Sequence, residues 1–152
     1  MHTFSINMSG SRPIIQLNGL PALIASGFTI PLANFTKEEL EKDWNAVKAL
    51  ENVSFSDNIS IIRGDVYTFH DLHVGDIQFS EINMLVPHNP FNGGYAGFKF
   101  VLSNSIFAGM NLSFNGPQNL LEIEMPDIQS RKAIIKNDEE ELYVEVIDTP
   151  SI

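Results

Sequence analysis

Between Pro13 and Thr36 the chain runs for 24 residues without a charged side chain, and what it carries instead decides the fold. Pro13, Pro21 and Pro31 lack the backbone donor that a helix needs, and Gly19 and Gly27 favour turns. The stretch therefore reads as strands and turns, not as a membrane span. Asn18-Gly19 supplies the two positive φ values of a two-residue turn, so residues 13–17 and 20–24 form a hairpin. The hairpin delivers Ala25, Ser26 and Gly27 to a loop at its end, and a second apolar strand through Phe28, Thr29 and Ile30 leaves that loop.

Downstream the pattern changes twice. Thr36 and Glu39 stand at capping-box spacing, Phe35 and Leu40 at staple spacing, and Leu40, Trp44, Val47 and Leu50 at helical spacing. One helix over about 37–50 is the expectation. From Ile59 the period falls to two, with Val66, Thr68, His70, Leu72 and Val74 on one face and Tyr67, Phe69, Asp71 and His73 on the other. Gly75-Asp76 turns the chain back. Ile77 and Phe79 share one phase and Ile82, Met84 and Val86 the other, which predicts a bulge or bend near Ser80-Glu81. Residues 87–97 read as loop, 98–102 and 121–125 as strands. Past Pro126 the chain turns charged, through Arg131-Lys132 and the acidic run 138–141, before a short strand-like run over 142–147. The domain organisation is thus one unit over 1–126 and a charged extension over 127–152.

Composition narrows the partners. A hydrophobic share of 43% against 18% charged, with 11 Phe, fits a globular β-rich domain. A net charge of −10 disfavours nucleic acid and anionic membranes, since affinity for phosphates comes from Lys and Arg. The absence of Cys removes disulfides and thiolate chemistry and makes the cytoplasm the expected location. The first residues lack the basic start and unbroken apolar run of a signal peptide.

The strand-loop-strand around Ala25-Ser26-Gly27 resembles the active-site loop of the retropepsin-like aspartic proteases, the single-lobe relatives of retroviral proteases, with Ala25 where the family has Asp. A second likeness lies at Phe107-Ala108-Gly109, read as the family's hydrophobic-hydrophobic-Gly element behind that loop, with Ala108 interrupting the hydrophobic pair. The resemblance covers about residues 12–125. It implies an all-β fold, a small closed acid-protease-like barrel with one inserted helix, and a homodimer acting on peptide or protein substrates without a cofactor. In such a site two carboxylates share one proton and activate a water, Ser26 bonds across to its twin loop, and Gly27 permits the tight turn. Arg63, Gly64 and Asp65 are the candidate tip of the substrate-covering flap, or else a plain surface turn. The tail over 142–147 either adds strands to the dimer sheet, lies in the cleft, or is a solvated acidic extension. With Ala25 in both subunits the chain is expected to be inactive, either as a silenced protease or as a natural pseudoprotease that binds peptides.

Rival chemistries are weaker. His70, His73 and His88 with Asp71 and Asp76 suggest a metal, but strand residues three apart face opposite sides, so no metal site is expected. Gly93, Gly94 and Gly97 lack the Lys-Ser/Thr of a phosphate loop, and Ser26 lacks a nucleophile-elbow context.

Overall fold

The computed structural model describes residues 1–9, 13–25, 28–56, 61–89, 97–138 and 141–151. The fold is all-β. In chain order the strands are β1 (His2–Asn7), β2 (Ile14–Leu17), β3 (Leu20–Ala25), β4 (Leu32–Ala33), β5 (Val47–Ser56), β6 (Ile61–Val74), β7 (Ile77–Pro87), β8 (Phe100–Ser103), β9 (Asn111–Asn115), β10 (Leu120–Met125), β11 (Ile128–Asn137) and β12 (Leu142–Pro150). Helix α1 (Lys37–Lys42) lies between β4 and β5, and a 3-10 helix (Asn104–Phe107) follows β8.

Two sheets result. The smaller has the order β1-β10-β9, and the larger runs β12-β11-β7-β4-β8-β3-β2, with β6 pairing β5 and β7. Among the described residues the ladders of the larger sheet do not return from β2 to β12. Strand β7 is its hub. It takes the antiparallel β6 along its whole length, and parallel pairings with β11 at Phe79–Ile82 and with β4 at Leu85.

Apolar side chains fill both faces of the sheet centre. Ala22, Ile24, Phe100 and Leu102 belong to one buried cluster, whereas Leu23 and Val101, between them in sequence, belong to another. Burial on two sides explains why these strands are continuously apolar instead of alternating. The β2–β3 hairpin has the expected turn, with φ of 51° at Asn18 and 80° at Gly19. The burial phase of β7 switches at Ser80-Glu81, and that of β6 switches at His70-Asp71 directly across the ladder, where Asp71 has φ of 54°. Beyond that point the inward residues are Leu72 and Val74; before it they include Phe69 and Tyr67, so the single phase expected for β6 is broken.

The helix is shorter than its periodicity suggests. The capping box of Thr36 and Glu39 is present, but α1 ends at Lys42, Asn45 takes φ of 53°, and Val47 opens β5. Ladder bonds to β6 outweigh helical propensity here, and Val47, placed on the apolar stripe by spacing, is exposed. Trp44 stays on the core side, 5.3 Å from the Phe35 ring. The chain beyond 126 differs from a charged appendage as well. Strand β11 sits between β7 and β12, and Ala133, Ile135 and Leu142 are buried.

Candidate active-site loop

Ala25 ends β3. The strand lies parallel to β8, with Ala22 opposite Phe100, Leu23 opposite Val101, Ile24 opposite Leu102 and Ala25 opposite Ser103. Ser26 and Gly27 lie outside the described residues. On the far side the Phe28 N–H donates to the Ala25 carbonyl at 3.3 Å.

Residues 28–30, expected as a strand, instead lead into β4 through a bend at 29–30, and two serines tie that bend to β8 and the 3-10 helix. The Ser105 hydroxyl donates to the Thr29 carbonyl at 2.7 Å, and the Ser103 and Ser105 oxygens are 2.6 Å apart. Because a carbonyl only accepts, the proton of Ser105 is committed to Thr29, and Ser103 must donate to Ser105. Ser103 is fully buried, so the relay satisfies an oxygen that water does not reach. Neither β3 nor β8 carries an ionisable side chain. The paired ends of β3 and β8 are therefore electrically neutral, and the last side chain of β3 is the methyl group of Ala25.

The strand paired with the end of β3 is therefore β8, which closes on Val101-Leu102-Ser103. Phe107, Ala108 and Gly109 instead end the 3-10 helix and turn the chain toward β9: Phe107 is buried, the Ala108 N–H donates to Ser105, and Gly109 has φ of 81°. Ser103, opposite Ala25, is not among the residues that the sequence singles out. The signal that identifies it is an apolar pair directly before the Asn104-Ser105 start of a helical turn. A cleft of about 520 Å³ opens beside this end of β3, bordered by Ile24, Phe107, Met110 and Leu112 and by Phe114, a half-exposed ring.

Arg63, Gly64 and Asp65 are inside β6, not at a turn; Arg63 pairs with Ser54 and Gly64 with Val53 on one side and Pro87 on the other. The connection of the β5–β6 hairpin, 57–60, is outside the described residues. Gly64 is needed for close approach, since a Cβ there would meet the Val86 carbonyl oxygen at 2.2 Å. Asp65 accepts from the Asn52 N–H at 2.8 Å, lies 3.2 Å from His88 Nε2, and has Lys48 at 3.7 Å. Partial burial acts to raise its pKa, but the Asn52 and His88 hydrogen bonds and the Lys48 and His88 charges outweigh it and hold the carboxyl below its ordinary value.

The residues weighed for a metal are dispersed. His88 is engaged with Asp65, Asp76 lies 2.7 Å from His2, and no metal-holding group of three or more His, Asp or Glu occurs among the described residues. Among those residues no helix is long and apolar enough to cross a membrane. Of the glycine-rich loop, residues 90–96 are outside the described residues.

At the C-terminal side, Arg131 is 1% exposed and pairs bidentately with Asp148 at 2.6 and 2.9 Å, while its third nitrogen donates to the Ile106 carbonyl at 3.1 Å. The hairpin of β11 and β12 is thereby fastened to the 3-10 helix that carries Ser105. Sequence reasoning placed Arg131 in a charged extension and missed this link. Comparison with known proteins finds no matching family model, curated protein or solved structure.

Proposed function

We propose that this chain is an aspartic endopeptidase of the retropepsin type, a homodimer acting on extended peptides, silenced at Ala25. The observation that supports the reading is the parallel pairing of β3 with β8, which puts Ala25 at the end of a doubly buried strand and backs it with the Ser103–Ser105–Thr29 relay. An acid on that strand end would be held without freedom to drift, as proton sharing between two carboxylates demands. The twin acid comes from a second copy, and the half-exposed Phe114 beside the apolar cleft at Ile24 is surface for that copy to cover.

A methyl group supplies neither base nor acid, so the chain as it stands binds peptide without cutting it. A natural pseudoprotease is the second reading, favoured by the lack of any ionisable side chain on β3 or β8. The test is peptide cleavage by Ala25→Asp beside the unaltered chain between about pH 4 and 7, the range in which such dyads share a proton, with pepstatin as control and sedimentation to measure dimerisation. Pepstatin-sensitive cleavage by the variant alone is the expected result. A folded, dimeric variant that cuts nothing removes the protease reading and leaves the peptide-binding one.

A further inference from the structure

At the opposite end of β3 from Ala25, about 17 Å away along the strand, a second cleft of about 570 Å³ opens between α1, the β2–β3 turn and the middle of β6. Its volume lies within the range of small-ligand sites. Leu20, Phe35, Trp44 and Leu72 form its apolar lining. Three carboxylates, Glu39, Asp43 and Asp71, border it, with Lys99 and the His70 ring.

The charges are not equally available. Glu39 bonds the Thr36 N–H at 3.0 Å and lies 3.7 Å from the Lys99 ammonium, so those two largely satisfy each other. Asp43 contributes only its backbone to the end of α1, and Asp71 has one long contact, 3.4 Å from the Gln78 amide nitrogen. Two exposed carboxylates thus remain over an aromatic wall, in a chain whose net charge is −10. Lys99 displays the chemistry that this wall favours: its ammonium is 5.3 Å from the Phe35 ring centroid.

We infer that this cleft binds an organic cation with an apolar stem, the chemistry of an arginine or lysine side chain, held by Asp43 and Asp71 with its stem against Trp44 and Leu72. The inference does not depend on the proteolytic reading, because the cleft shares no residue with the loop at Ala25.

Trp44 is the only Trp in the chain, so its fluorescence reports on the cleft directly. The experiment titrates the intact protein with N-acetyl-arginine methylamide, and in parallel with the norleucine and glutamate analogues. A saturable change with the arginine probe alone is expected, weakened at least fivefold in the Asp43→Asn, Asp71→Asn double variant and reduced by salt. Asn suits both positions, since Asp71 holds a positive φ that Asn tolerates and Asp43 uses only its backbone. Tighter binding of an extended Arg-containing peptide than of the capped residue would identify a polypeptide as the source of the cation, and equal binding a small molecule. No saturable change, an equal response to the norleucine or glutamate probe, or undiminished binding by a folded double variant would overturn the inference.

Discussion

Replacing Asp148 by Ala tests whether the last hairpin is structural. Arg131 keeps its buried position but loses two of its three hydrogen-bond contacts, retaining only the Ile106 carbonyl. Removing one partner of a buried ion pair costs about 3–5 kcal/mol. The Asp148 side chain is 31% exposed, so water screens part of the attraction and the low end, about 3 kcal/mol, applies. At about 2–4 °C per kcal/mol for a chain of this size, the midpoint should fall by roughly 6–12 °C. Thermal and urea unfolding followed by circular dichroism measure this, with unchanged urea slope as the sign of a pure stability effect. The double change Arg131→Met, Asp148→Leu should recover most of the loss, because it leaves no orphaned charge. A shift under about 2 °C for Asp148→Ala, on the same scale, would refute the reasoning and return the hairpin to the status of a solvated extension.

Two further outcomes follow from β6. Gly64→Ala should cost about 2–3 kcal/mol or prevent folding, because its Cβ meets backbone and not a movable side chain, and urea denaturation reads the loss. The folded Asp65 carboxyl titrates below its unfolded counterpart, so its contribution is present above the unfolded pKa and disappears as pH falls through the folded value. Asp65→Asn should therefore lower stability by about 1–2 kcal/mol near neutrality and leave it unchanged in strong acid, a convergence visible in unfolding midpoints collected across pH.

Local chemistry was legible where one or two residues decide it. Asn18-Gly19 dictates its turn, Thr36 and Glu39 start the helix, and the phase change in β7 falls at Ser80-Glu81. Features settled by distant partners were not. Helix α1 stops at Lys42 because β6 captures the following residues into β5, a competition that periodicity does not register. The partner of Ala25 is Ser103, far along the chain, and nothing local to either residue announces the pairing. Arg131 reads as a surface charge until Asp148 and Ile106 are placed around it.

The insertion of β11 beside β7 has a consequence for how the chain is made. On the ribosome β7 is complete at Pro87, but the strand that covers its Phe79–Ile82 edge begins only at Ile128. Synthesis of the intervening 40 residues takes roughly 2–8 s at ordinary elongation rates. During that interval the edge presents unpaired backbone groups flanked by Phe79 and Ile82, a template for a neighbouring nascent chain on the same message. Rare codons between positions 88 and 127 should accordingly lower the soluble yield without altering the product.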